Sequence, residues 1–499
     1  MAQSQVCCVD QERPGTKVIA GRWFCDEHYA KATYKRGGVW RSGLGAVVGL
    51  LIFVAAVVGL DTALQPQLSG MALMVTGVVL ALVPAALWLM FFYQQDRLEP
   101  EPLSNVARMF VIGLALAGAL GIPLTEQFFR LSEWLYRDTL TNVLGAIFIS
   151  GAIEAFVVFA TVRYFIFDSA EFDERTDGVV YATAAALGYA TALNLQFIFA
   201  NGGAALGGTE VFVAEVALAQ AAFGGLLGYF LGKAKLEQEP VWWLSLGLVI
   251  TAVLNGAFNL LRNVVDPGTI AIGDAGLPSF TGLLLAGGLA VAVAAIVYWL
   301  INRDIHLSLT GTQTAPTIDP TRGDQQANYA TLGTMAALLL IGTLAWNNAV
   351  NRSTAFSASN ISGAYPAYFS EATDAGEVLR VVDTLGTGAE FIIATHVLAG
   401  PDAQSVADQL AGERGTDYPV YKVTESEPVT VNGKAALSQR FTYVFGGSLT
   451  GGAPAIYEGR DYIFVSGQQA TVVTLVATPE TLTSVEPLFA RFIYSLSLP

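Results

Sequence analysis

Three cysteines and one histidine near the start of the chain offer the first chemistry. Cys25 and His28 form a C-x-x-H pair, and Cys7 and Cys8 lie upstream of it in the segment CCVDQERPGTKVIAGRWFCDEHYAK. Thiolates and imidazole are the ligands zinc takes in tetrahedral structural sites, where four protein ligands leave no open position for catalysis. Cys7, Cys8, Cys25 and His28 could therefore complete a structural zinc ribbon. Adjacent cysteines in place of a C-x-x-C knuckle leave another reading open, a degenerate ribbon with one idle cysteine.

The second chemical group is a buried acid. Glu154 lies in LGAIFISGAIEAFVVFATVRYF, an apolar stretch long enough to cross a bilayer as helix. A carboxylate at the centre of such a helix costs about 2.5–3.5 kcal/mol on insertion scales, so it marks a site by default. The polar residues of the other apolar stretches are mostly amides: Asn194, Gln220, Asn255 and Asn259. Glu215 and Arg163 stand nearer span ends, where an arginine can snorkel to the interface. Amides both donate and accept, so they can satisfy one another and Glu154 across helices, at about 0.6–2 kcal/mol per bond.

Hydrolysis would need a general base, which Glu154 could be, and oxyanion donors, which Asn194, Gln220 or Asn255 could be. The chain has only three histidines, His28, His306 and His396, and none falls in an expected span. A metal in the bilayer would find only carboxylate and amide oxygens, a set poorly suited to a transition metal. No metal is expected in the membrane core.

The elements that carry these groups follow from the hydropathy. With 53% hydrophobic and 13% charged residues over 499 positions, the composition is that of a multi-spanning membrane protein. Apolar stretches at roughly 43–64, 71–93, 107–127, 143–166, 179–200, 211–231, 241–262, 279–301 and 329–349 give about nine transmembrane helices. The first begins behind a polar, cysteine-bearing segment, which does not read as a cleavable signal peptide. Lys and Arg concentrate before the first span and in alternate loops after it, so the positive-inside rule puts the N-terminus in the cytoplasm. Nine crossings then put the C-terminus outside the cell membrane. The net charge of −15 carries no basic nucleic-acid footprint.

Five segments result: a cytoplasmic zinc-ribbon-like segment 1–41, a helical core 42–304, a cytoplasmic linker 305–328, a last transmembrane helix 329–350 and an extracytoplasmic domain 351–499. The last segment alternates β-branched and aromatic residues, with an Asn432-Gly433 turn and helical patterns at Gln404–Ala411 and Pro479–Phe492. It reads as an α+β domain with an antiparallel sheet, closing on FIYSL, and is similar in element order to the PsbP-like sandwich. His396 stands alone there, with no nucleophile–base pair, so the domain is expected to bind an unknown ligand or to serve assembly.

The stretch FFYQQDRLEPEPLSNVARMFVIG, with Asp96, Glu99-Pro100-Glu101-Pro102, Phe110 and Gly113, resembles the opening signature of the PrsW family of intramembrane proteases. Four further stretches follow in that family's order, so the resemblance covers about residues 75–265. It implies a helical membrane core and glutamate- and histidine-dependent peptide hydrolysis within the bilayer. Its first motif, E-E-x-x-K, falls on Glu154, Ala155 and Val158, keeping one acid and losing the second acid and the lysine. Asp177-Gly178 matches the family. The E-N pair falls on Leu193-Asn194, the third-motif histidine on Gln220, and the H-G-x-x-N motif on Asn255-Gly256 and Asn259.

The reading these residues support is a PrsW-like polytopic protein that is a catalytically inactive pseudoprotease, acting as scaffold, sensor or subunit with other membrane proteins. Two alternatives stay open. One is an intramembrane endopeptidase that cuts a single-pass substrate with Glu154 alone. The other is an ion- or ligand-binding membrane protein built around the same acid.

Overall fold

The structure, a computed structural model, describes the chain except residues 1–5, 11, 20, 34–38, 65–69, 96–101, 136–138, 201–205, 266–268, 273–274, 279, 311–319, 385, 399, 401, 419 and 448–451. It divides into two compact units, Met1–Phe129 with Asn142–Thr343, and Arg130–Thr141 with Leu344–Pro499.

The first unit opens with a hairpin of β1 (Lys17–Ile19) and β2 (Arg22–Phe24), followed by α1 (Asp26–Thr33). Ile19, Phe24, Cys7, Cys25 and Ala32 form a small core that closes on Leu236. The long apolar helices follow: α2 (Val39–Leu64), α3 (Gly70–Gln95) and α4 (Leu103–Leu116), which runs on through π-helical turns Ala117–Gly121 and Pro123–Phe128. Next come the short α5 (Leu131–Trp134), which belongs to the second unit, then α6 (Thr139–Gly145), a π-helical turn Ala146–Gly151, and α7 (Ala152–Phe165). Then follow α8 (Arg175–Ala200), α9 (Leu206–Leu236), α10 (Trp243–Val265), a hairpin of β3 (Thr269–Ile272) and β4 (Ala275–Pro278), α11 (Thr281–Thr310) and α12 (Pro320–Asn351).

Helices are the form such sequences must take in lipid, because every backbone polar group is then bonded within its own segment. Among the described residues eight helices are long and apolar enough to cross a membrane, and α2 adds the shorter apolar run Val47–Asp61. The spans in α8 and α9 are 83% buried and that in α12 only 22%, which makes α8 and α9 the centre of the packing. Glycine lets these two backbones touch. A Cβ on Gly228 would lie 2.2 Å from the Gly178 carbonyl oxygen, a distance no side chain tolerates.

The second unit carries a seven-stranded antiparallel sheet of order β10-β11-β12-β13-β9-β8-β7 and a separate β5-β6 hairpin. The strands are β5 (Ser353–Ala358), β6 (Ile361–Pro366), β7 (Ser370–Glu371), β8 (Glu377–Val382), β9 (Glu390–Val397), β10 (Tyr421–Val431), β11 (Lys434–Gly447), β12 (Gly452–Ser466) and β13 (Gln469–Ala477). The central strand β13 is buried along both faces. Val473 and Leu475 face α14 (Pro479–Ser495) through Phe489 and Phe492, while Ala470 and Val472 join Val406 and Leu410 of α13 (Ala403–Asp417). Asn432 and Gly433 both take positive φ, 49° and 75°, and turn β10 into β11. The final FIYSL does not lie beyond the closing helix. Phe492–Ser495 belong to α14, whose apolar side they supply, and a bridge between Ser362 and Ser497 ends the chain.

Candidate functional site

Glu154, Gln220 and Asn255 come from three different helices, α7, α9 and α10, and meet in one buried cluster. Close backbone contacts put them there. A Cβ on Gly151 would sit 2.4 Å from the Ala252 carbonyl oxygen, and one on Gly256 2.9 Å from the Ile147 backbone. The π-helical turn before α7 is thus laid directly on α10, which brings Asn255 beside Glu154. On the other side, a Cβ on Gly224 would lie 2.6 Å from Ala182 O and one on Gly232 2.4 Å from Arg175 O, whereas Gly225 makes ordinary contacts.

Both carboxylate oxygens are engaged. Oε1 accepts from Ser150 Oγ at 2.8 Å, and Oε2 accepts from Asn255 Nδ2 at 2.7 Å and from Gln220 Nε2 in a short bond. Asn255 Oδ1 in turn accepts from Asn259 Nδ2 at 3.0 Å, so Gln220, Glu154, Asn255 and Asn259 form a chain across two helix interfaces. Asn194 is equally buried but bonds elsewhere: its Nδ2 donates to Val213 O at 3.2 Å. It ties α8 to α9 without touching the acid through a hydrogen bond. Glu215 pairs with Arg262 at 2.5 Å, joining α9 to the end of α10. Arg163 reaches out to Asp168 at 3.1 Å, with its guanidinium 4.4 Å from the Phe167 ring centre.

Asp177 has a local structural duty. From the first turn of α8 its Oδ2 accepts from the backbone N–H groups of Asp173 and Glu174, at 2.8 and 2.5 Å, satisfying donors at the helix start. Phe110 and Gly113 pack α4 on α8: a Cβ on Gly113 would lie 2.2 Å from Ala185 O, and one on Gly188 2.1 Å from Phe110 O. Asp96, Glu99, Pro100 and Glu101 lie outside the described residues.

At the N-terminus the structure brings together Cys7, Cys25 and His28, and the fourth group is Asp10. One ligand atom from each lies within 4.8 Å of the others. Cys8 is not part of this group. The chain turns at Cys8–Asp10, and it is Asp10, at the end of that turn, that joins Cys7, Cys25 and His28. Burial pushes the Cys7 thiol up, so a metal taken here displaces its proton. Among the described residues this is the one set of His, Cys, Asp and Glu groups placed closely enough to share a metal ion.

Sequence reasoning missed four residues. Ser150 precedes Glu154 by four positions, a spacing that places both on one helix face. Asp10, Asp173 (which meets His28) and the pairing of Arg262 with Glu215 had no local signal, since each is a contact between distant segments. His306 falls at the end of the span Thr281–Leu307, where it is exposed.

These features define a class: a polytopic helical membrane protein with a carboxylate–amide cluster where three helices meet. The chain matches the PrsW family of intramembrane metalloproteases over residues 101–306. Protease PrsW of Geobacillus kaustophilus is 31% identical over 183 residues, 36% of this chain and 76% of that protein. Protease PrsW of Bacillus subtilis is 28% identical over 194 residues, 37% of this chain and 82% of that one. The protein belongs to the PrsW family. The solution structure of cyanobacterial PsbP from Synechocystis is similar to 30% of this chain and 92% of that one at 9% identity, with a TM-score of 0.25, too low to define the C-terminal fold.

The family's name implies a metal within the membrane. The donor set around Glu154 does not fit one. Its neighbours are a hydroxyl and two amide NH₂ groups turned toward the carboxylate, with no imidazole, thiolate or second carboxylate among its hydrogen-bond partners.

Proposed function

We propose that this protein is a PrsW-family member whose hydrolytic centre has become a structural lock, and that it acts as a scaffold, sensor or subunit of an assembly in the cell membrane. The observation that carries this is the occupancy of both Glu154 oxygens by Ser150, Gln220 and Asn255. With three donors already on its two oxygens the carboxylate is committed to the protein rather than to an attacking water, and among its hydrogen-bond partners no cation stands by to stabilise an oxyanion. The family match spans the close glycine contacts that this chain uses for packing, so the framework is kept where the chemistry is altered.

In this reading the segment 1–41 and the linker 305–328 face the cytoplasm and the α+β domain 351–499 faces outward, following the Lys and Arg distribution. The test is a cleavage assay in proteoliposomes with a fluorescent single-pass peptide. The reading expects no turnover that Glu154→Gln abolishes. Turnover that disappears in Glu154→Gln, with the variant still folded by circular dichroism, would establish a peptidase and end the reading.

A further inference from the structure

The N-terminal group has the dimensions of a metal site. Tetrahedral zinc with bonds of about 2.0–2.3 Å spaces its ligand atoms about 3.3–3.8 Å apart. His28 Nδ1 lies 3.3 Å from Cys7 Sγ, 3.4 Å from Cys25 Sγ and 3.7 Å from Asp10 Oδ2. The Asp10 carboxylate is held in place by its own loop. Its Oδ1 accepts from the backbone N–H groups of Glu12 and Arg13, both at 3.2 Å, and Oδ2 is left toward the histidine, with Arg13 Nε at 3.4 Å.

The other edge of the imidazole looks toward the helical core. His28 Nε2 lies 3.9 Å from Asp173 Oδ2, and that oxygen accepts from Lys31 Nζ at 2.8 Å. A metal-bound histidine commonly gives its second N–H to a carboxylate, which fixes the ring and raises its basicity. Asp173 lies in the connection between α7, which carries Glu154, and α8, and its backbone N–H is bound by Asp177. Two arginines complete the docking. Arg22 donates to Ala234 O at 2.8 Å and Glu237 O at 3.0 Å, capping the end of α9, and Arg175 donates to Ala32 O at the end of α1 at 2.7 Å.

We propose that Cys7, Asp10, Cys25 and His28 form a structural zinc site, and that its occupancy clasps the N-terminal module onto the α7–α8 connection through Asp173. The zinc organises the loop and hairpin around His28, and His28 presents its Nε2–H to Asp173. Removing the ion frees that ring and loosens the connection. The clasp is independent of whether the core hydrolyses anything.

The experiment uses the full chain in detergent. Metal content by mass spectrometry should give one zinc per chain, lost in Cys7→Ser and in Cys25→Ser and kept in Cys8→Ser; Asp173→Asn should weaken zinc affinity about 10- to 100-fold, and Asp10→Asn, which removes a ligand, at least as much. Hydrogen exchange on the wild type, with and without a zinc chelator, should show faster exchange in residues 22–33 and 168–174 once the ion is removed. Absence of stoichiometric zinc, or a site lost in Cys8→Ser and indifferent to Asp10→Asn, overturns the ligand set. Zinc removal that leaves residues 168–174 unchanged overturns the clasp, whatever the variants do.

Discussion

Asn255 donates to Glu154 across 101 positions of sequence, through a 2.7 Å bond between two buried side chains on different helices. That bond joins α10 to α7, and it makes the buried acid the acceptor of a helix–helix hydrogen bond.

Asn255→Ala removes the donor to Glu154 and the acceptor of Asn259 together. The bond to Glu154 is interhelical and worth about 0.6–1.7 kcal/mol, while the bond from Asn259 lies within α10, so the unfolding free energy should fall by about 0.6–1.7 kcal/mol. Thermal unfolding in detergent, compared with wild type, measures the loss. An unchanged midpoint would mean the cluster does not lock the helices.

The glycine contacts should be more demanding than the polar ones. Gly256→Ala places a methyl 2.5 Å from Ile147 Cγ1 and 2.9 Å from its backbone, and should cost about 1–3 kcal/mol by overpacking. Gly59→Ala meets open space and should stay within about 0.5 kcal/mol of wild type. Yield and thermal midpoint of the two variants, prepared side by side, give the comparison.

In the second unit, Asp461 is wholly buried and accepts from Arg414 at 2.6 and 3.1 Å and from Thr474 at 2.6 Å. Burial opposes the arginine's charge, yet the adjoining carboxylate holds Arg414 well above its ordinary value. Arg414→Met strands that carboxylate, and breaking a buried pair from one side costs about 3–5 kcal/mol. Urea unfolding followed by protease susceptibility of residues 403–477 should shift accordingly. Replacing a rim pair such as Arg440 with Glu425, at 3.5 Å, should move it by less than about 1 kcal/mol.

Much of this was legible in the sequence, and the limits have physical causes. Length and hydropathy placed the helices, because spanning lipid demands long unbroken apolar runs. The Asn432-Gly433 turn and the α13 and α14 patterns were readable because turn chemistry and helical period are local. That Glu154 would meet Gln220 and Asn255 was legible as a need, since a buried acid requires partners. That Asn194 would instead bond the Val213 carbonyl was not, because nothing in an amide's identity says which helix it faces. The metal group shows the same limit. Cys25 and His28 share one turn of structure and could be paired by spacing, whereas choosing Asp10 over Cys8 depends on how the turn Cys8–Asp10 folds back on His28.

The partition of metal between the two chemical centres decides between a structural lock and a working metalloprotease. Transition-metal content should be measured on the wild type, Cys25→Ser and Glu154→Gln, each as the full chain. A structural lock predicts that the metal disappears with Cys25→Ser and is indifferent to Glu154→Gln. Metal retained in Cys25→Ser and lost in Glu154→Gln would place the ion in the membrane, restore the metalloprotease chemistry of the family to this chain, and contradict the lock.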